Sequence, residues 1–212
     1  RAVLALGTLG PDWRGDVLRQ QLQSLGVDVG GMVAYEQLVT NAYIKPLRMG
    51  ISDTIYEDPR IDFENREALP AQAEAALLAA LEAAAPALDL LLVCDQLAYG
   101  CIPPAVRERI GQLGEQGLTV LVDSRSRINA FRHVLLKPNE MEALRATGQA
   151  DAAAAARQLA GLTGRPALVT LGERGCVVSD GQTETMFEAL PVPPPVDTVG
   201  AGDAFAAAFG LA

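Results

Sequence analysis

The chain has 212 residues, half of them hydrophobic, with 17 Lys and Arg against 26 Asp and Glu and a formal net charge of −9. That length can bury one sizeable core, and the acidic balance argues against a nucleic-acid or anionic-membrane surface, which selects clustered Lys and Arg. The three cysteines, Cys94, Cys101 and Cys176, form no CxxC pair, so they suggest neither a disulfide framework nor a zinc site and fit a reducing, cytoplasmic setting. No apolar run reaches the roughly 20 residues that span a bilayer, and the first residues read as neither a signal nor a transit peptide.

In chain order, residues 3–6 read as a buried strand and 16–25 as a helix, with Gly30-Gly31 as a turn beyond it. Residues 40–63 break the rhythm. Their alternation of apolar and polar residues predicts two strands outside the main sheet, forming a half-exposed lid, an edge that pairs with another subunit, or an ordinary surface hairpin. Helices are then predicted over 71–84, 104–115, 140–147 and 151–161, the last rich in alanine as a good helix former. Strands are predicted over 88–94, 118–122, 134–136, 167–171 and 176–179. Pro191, Pro193, Pro194 and Pro195 form a stiff connector, and residues 204–209 have an apolar helical pattern. Short apolar strands alternating with helices predict one α/β domain over 1–212, with a mainly parallel sheet covered on both faces. Ligands of such sheets sit outside the carboxyl ends of the strands.

Three segments carry chemistry. In Val199-Gly200-Ala201-Gly202-Asp203-Ala204-Phe205, small residues stand where a loop turns into a helix, so free N–H groups and the helix dipole favour an anion. Asp203, in the first turn, is placed to accept the proton of a hydroxyl attacking a bound phosphoryl group. A plain cap with turn glycines accounts for the same residues. In Lys137-Pro138-Asn139-Glu140-Met141-Glu142, an amide beside a carboxylate suits a hard cation held through water, and an acidic first helical turn is the simpler alternative. Lys137 either reaches a nucleotide phosphate or balances Glu140. In Thr170-Leu171-Gly172-Glu173-Arg174-Gly175, the glycines permit close approach to a nucleotide or merely a hairpin turn. His133, the single histidine, reads as a surface or satisfied residue.

The run Asp197-Thr198-Val199-Gly200-Ala201-Gly202-Asp203 matches the Asp-Thr-x-Gly-Ala-Gly-Asp pattern of the ribokinase (PfkB) carbohydrate-kinase family. The Asn-x-x-Glu and Thr-Leu-Gly-x-x-Gly segments occur in that family's order, so the chain resembles it along essentially its whole length. The resemblance implies a ribokinase-like three-layer αβα fold with a mainly parallel central sheet and a small β lid at about 40–63. It implies transfer of the γ-phosphoryl group from ATP, with Mg2+, to a hydroxyl of a sugar or sugar phosphate. Asp203 would be the base, and the N–H groups of Gly200, Ala201 and Gly202 would stabilise the moving phosphoryl. Thr170, Gly172, Lys137 and Thr198 would serve the nucleotide, Asn139 and Glu142 the metal. Asp197 would help hold a monovalent cation such as K+.

The phrase Arg60-Ile61-Asp62-Phe63-Glu64 and the segment Cys94-Asp95-Gln96-Leu97-Ala98-Tyr99-Gly100 are most similar to bacterial heptose-phosphate kinases. That likeness turns Asp95 toward the substrate. Lys45 and Arg48 either hold a substrate phosphate or are solvated charges on an exposed strand, and the lid is a candidate homodimer contact. Both ends read as cut, since the family's Gly-Gly-x-x-x-Asn segment and its closing helices are not found. A nucleoside or vitamin kinase of the same fold and a non-catalytic sugar or nucleotide sensor remain alternatives. A dinucleotide oxidoreductase needs Gly-x-Gly-x-x-Gly after an early strand, which Leu6-Gly7-Thr8-Leu9-Gly10 lacks.

Overall fold

The computed structural model describes residues 2–50, 55–193 and 198–211. Where the sequence reads as one domain, the chain divides into two compact units, Arg1–Ala84 with Tyr99–Pro103, and Ala85–Ala98 with Pro104–Ala212.

In the first unit, β1 (Leu4–Leu9) pairs in parallel with β2 (Asp28–Ala34), and α1 (Trp13–Ser24) connects them. The helix starts earlier than its apolar pattern suggests because Asp12 caps it, accepting the N–H groups of Arg14 and Gly15 at 3.1 Å each. Gly30-Gly31 is not a turn. Both glycines lie inside β2, and Gly31 faces Leu6 across the ladder. A Cβ at Gly31 would stand 2.3 Å from Leu6 Cδ2 and 2.8 Å from the Ala5 carbonyl, so the glycine allows a close approach of two strands. Helix α2 (Ala71–Ala84) covers this pair through buried Ala73, Leu77 and Leu81.

The lid contains four short strands rather than two. β3 (Ala42–Ile44) pairs with β6 (Ile61–Phe63), and β4 (Leu47–Met49) with β5 (Ile55–Glu57), both antiparallel. Pro46 separates β3 from β4 and has no N–H to continue a ladder; its carbonyl accepts the Asp58 N–H at 2.9 Å instead. The base of the lid is anchored at Thr40. Its buried hydroxyl accepts from Gly10, its N–H donates to Asp12 Oδ2, and its carbonyl accepts from Arg14 Nε. Arg14 in turn lies 4.1 Å from the centre of the Phe63 ring. Desolvation would raise the Asp12 carboxyl, but the N–H groups of Thr40 and Gly15 outweigh it and hold the pKa below the ordinary value.

The second unit is built on a six-stranded sheet of order β12-β11-β10-β9-β8-β7. β7 (Leu90–Asp95), β8 (Thr119–Ser124), β9 (Leu135–Leu136) and β10 (Ala167–Thr170) run parallel, and β11 (Cys176–Ser179) and β12 (Glu184–Phe187) add an antiparallel edge. Val120, Leu121 and Val122 of β8 are all at most 2% exposed. Since successive side chains point to opposite faces, this strand is covered on both. The helices are α3 (Pro104–Glu115), α4 (Glu140–Thr147), α5 (Ala152–Thr163) and α6 (Ala201–Leu211). The alanines of α5 serve packing: Ala155, Ala156 and Ala160 are buried and let the helix lie close to β10 and β11. β12 escapes a reading by hydrophobicity because it is short, half polar and exposed on the outer edge. Ile51, Ser52, Asp53 and Thr54 in the lid, and Pro194 and Pro195 of the connector, lie outside the described residues.

The turn from β10 into β11 requires Gly175. It has φ of 93°, and a Cβ there would fall 1.9 Å from the Phe187 carbonyl oxygen on β12. Gly175→Ala is expected to cost at least about 3 kcal/mol in urea denaturation, from the left-handed backbone plus the clash with a main-chain atom. A loss below about 1 kcal/mol would show that the turn relaxes freely.

Candidate active site

The carboxyl ends of β7, β8, β9 and β10 bring most of the expected residues of the second unit to one edge. Lys137 follows β9 directly; its N–H donates to the Val122 carbonyl at 2.8 Å, which fixes its backbone beside β8. Its side chain is buried and its Nζ lies 2.6 Å from Asp123 Oδ2. It therefore does not balance Glu140, which pairs with Arg174 across the β10 loop. The other oxygen of Asp123 accepts from Gln96 Nε2 at 3.2 Å, so one carboxylate joins the ends of β7, β8 and β9. A buried cation held this way tolerates desolvation because its counter-charge is in contact.

Asn139 and Glu142 form a reciprocal cap at the start of α4. Asn139 Oδ1 accepts the Glu142 N–H and Glu142 Oε2 accepts the Asn139 N–H, each at 2.9 Å. Burial pushes the Glu142 carboxyl up and the nearby Asp123 charge adds to this, while the Asn139 N–H, Lys137 and Arg125 act in the opposite direction. Thr170 ends β10 beside this cap: its N–H donates to the Pro138 carbonyl at 3.1 Å, and it bridges Asn139 in parallel register. Gly172 is exposed in the loop that follows. The Asn-x-x-Glu and Thr-Leu-Gly segments, 28 residues apart by their Glu142 and Thr170 positions (170 − 142), are thus neighbours in space.

Helix α6 packs on β7 through Gly210, beside Leu90 and Leu92, and its first turn reaches the same edge. The chain turns at Gly200, with φ of 75°. Ala201 donates to the Thr198 carbonyl at 3.2 Å, and Ala204 to the Gly200 carbonyl at 2.9 Å. Lys137 Nζ lies 3.6 Å from the position a Cβ of Gly202 would occupy. The buried ammonium therefore sits against the positive end of the helix. Asp203 is exposed on that first turn, as is Thr198 just before it. Asp197 lies outside the described residues.

Asp95 occupies a different position from the one the sequence suggests. It is 2% exposed, and both carboxylate oxygens are engaged within the protein. Ser124 Oγ donates to it at 2.7 Å and Arg127 Nε at 3.0 Å, while Arg127 Nη2 bonds its other oxygen. Arg127 also donates to the carbonyls of Leu97 and Ala98, pinning the loop after β7 to the end of β8. Lys45 and Arg48, in the first unit, are exposed and paired with Glu57 and Asp58 of the lid, each at 2.8 Å. Asp123, Ser124, Arg127 and Gln96 are absent from the sequence-based set. The signal for the first three was the polar run Asp123-Ser124-Arg125-Ser126-Arg127 at the carboxyl end of a buried parallel strand, where ligands of such sheets gather. Among the described residues, no group of three or more His, Cys, Asp or Glu is spaced to hold a metal, and no helix is long and apolar enough to cross a membrane.

The architecture has many solved counterparts and is the ribokinase-like fold. Ribokinase from Giardia lamblia covers 97% of this chain and 65% of its own at a TM-score of 0.69 and 19% identity. Arabidopsis thaliana ribokinase, solved with ribose and ATP, matches over 98% of this chain and 68% of its own at 0.69 and 19%. A putative ribokinase II from E. coli, solved with ATP and Mg2+, gives 0.67 over 98% of this chain and 68% of its own, at 19% identity. The model of the pfkB family carbohydrate kinases matches residues 1–212, and the chain belongs to that family. The bifunctional protein HldE of Caulobacter vibrioides is 30% identical over the whole chain and 44% of its own length. The cytidine kinase of Thermococcus kodakarensis is 47% identical over 74 residues, 34% of this chain and 26% of its own. The chain thus spans less than half the length of these curated relatives.

Removing one partner from the Asp95–Arg127 pair leaves an uncompensated charge. Asp95→Ala is expected to lower stability by about 3 kcal/mol in chemical denaturation, the low end for a buried pair because Arg127 is partly solvated. A change within about 0.5 kcal/mol, the size of an ordinary surface substitution, would mean that water replaces the carboxylate.

Proposed function

We propose that the protein is an ATP-dependent kinase that transfers the γ-phosphoryl group to a hydroxyl of a sugar or sugar phosphate, with Asp203 as the general base. The observation that carries this reading is the buried Lys137 ammonium set against the first turn of α6, on which Asp203 is exposed. The helix N-terminus, the Lys137 ammonium with its Asp123 counter-charge, and the Asp203 carboxylate then meet at the edge where ligands of parallel sheets bind.

In this reading the N–H groups of Gly200 and Gly202, with Lys137, receive the charge that spreads over the transferring phosphoryl. Ala201 joins them by giving up its bond to the Thr198 carbonyl. Asp203 accepts the proton of the attacking hydroxyl, a step worth on the order of 10²–10⁴-fold. Thr170, Gly172 and Thr198 border the nucleotide. The all-oxygen donor set of Asn139 and Glu142 fits Mg2+ held through water; the ion supplies neutralisation of nucleotide phosphate charge. Asp197 is assigned to a monovalent cation such as K+. Asp95 acts on the substrate side by holding the loop after β7 through Arg127. Lys45 and Arg48 are the lid's cations for an acceptor phosphate, and the exposed apolar residues Leu47, Met49 and Ile55 suit a homodimer formed through the lid. The setting is cytoplasmic.

The match to the cytidine kinase, higher in identity though local, favours a nucleoside acceptor as the second reading. A panel of sugars, sugar phosphates and nucleosides, read by ADP release, separates the two. Asp203→Asn is expected to lower kcat by at least about 10²-fold while ATP binding by calorimetry stays within about threefold. Wild-type kcat in that variant would defeat the assignment of the base.

A further inference from the structure

Asp123 has no role in the reaction as assigned so far, yet it stands at the centre of the site's polar contacts. A lysine side chain has four rotatable carbons and a point-like charge, so its direction is set by what it touches. Here that contact is Asp123 Oδ2 at 2.6 Å, with the lysine side chain buried and the carboxylate mostly so. Asp123 itself is held on its other oxygen by Gln96 at 3.2 Å. Its backbone is fixed in register, opposite Cys94 on β7, and the Lys137 N–H is tied to Val122, one residue before it. The ammonium is thus held beside the first turn of α6 by this carboxylate, and its backbone by the Val122 carbonyl.

We propose that Asp123 is a positioning residue of the phosphoryl-transfer site, acting through Lys137, which it holds against the Gly202 turn. This rests on the reading of that turn as the place where the phosphoryl group is transferred. The electrostatics give the role a particular signature. A carboxylate near a phosphate site opposes anion binding, and its negative charge cancels much of the long-range attraction of Lys137. A residue kept there for affinity alone would be unfavourable. Held for geometry, it costs ground-state attraction and improves the arrangement in the transition state.

Asp123→Asn removes the charge and keeps the shape. The expected result is a fall in kcat of roughly 10–100-fold, the scale of a misplacement near 1 Å, with no rise in the KM for ATP. Lys137→Met should lower kcat by itself. The double variant Asp123→Asn with Lys137→Met should match Lys137→Met within about twofold, because a residue that acts through Lys137 has nothing left to position. A merely structural Asp123 gives the opposite pattern: its loss multiplies with that of Lys137→Met and is explained by the fraction unfolded. If Asp123→Asn does not fold, Asp123→Leu with Lys137→Met removes both buried charges together, and its kcat should again equal that of Lys137→Met.

Wild-type kcat in Asp123→Asn, or multiplying losses in folded protein, overturns the positioning role and leaves the kinase reading intact. Wild-type ATP affinity and kcat in both Lys137→Met and Asp203→Asn would instead remove the site from this edge and with it both inferences.

Discussion

The parallel register between β7 and β8 is the constraint on which the rest of the site depends. Cys94 lies opposite Asp123 and Asp95 opposite Ser124, so the two acidic residues end neighbouring strands one step apart. Asp95 then turns to Ser124 and Arg127, and Asp123 to Gln96 and Lys137. A slip of one residue would turn one strand's side chains to the other face and part Asp95 from Ser124. The register is favoured by burial, since Val93 and Val122 on one face and Leu121 on the other are shielded, whereas β7 leaves Leu92 and Cys94 exposed. Packing in the interior of the sheet is thus what places charge at its edge.

The two polar assemblies at this edge have different physical tasks. Arg127 spends its donors on Asp95 and on the carbonyls of Leu97 and Ala98, which makes the loop after β7 a fixed element. Lys137 keeps an ammonium beside the start of α6, paired with Asp123. The first assembly is closed and stabilising. The second joins a mobile type of side chain to a helix terminus with donors to spare, an arrangement suited to an incoming anion. Around it, the Asn139–Glu142 cap and Thr170 bring two further loops to the same place, where the Glu140–Arg174 ion pair also joins them.

Much of the second unit was legible because its signals are local. Helix α3, helix α4 and strand β11 agree with the expected residue ranges, since apolar periodicity and caps such as Asn139 act within a few residues. Gly30-Gly31 misled because glycine marks both a turn and a close contact between strands; only the presence of Leu6 across the ladder decides which. Alternation over residues 40–63 suggests two strands because it does not show that Pro46 divides β3 from β4. At the site, Lys137, Asn139, Glu142, Thr170, Gly202 and Asp203 were marked as candidates by sequence motifs. Their supporting partners Asp123, Gln96, Ser124 and Arg127 were not, because each is defined by a contact made from another strand or loop. Asp95 shows the same limit from the other side: its position in the chain was visible, its burial against Arg127 was not.

The central claim is that phosphoryl chemistry occurs where Lys137 meets the first turn of α6. A crystal structure of the protein with a non-hydrolysable ATP analogue tests it most directly. The terminal phosphate should lie over Gly200, Ala201 and Gly202, within about 3.5 Å of both a backbone N–H and Lys137 Nζ, the reach of a charge-assisted hydrogen bond with some slack. A terminal phosphate bound elsewhere, with Lys137 still buried on Asp123 and the α6 turn empty, would contradict the account.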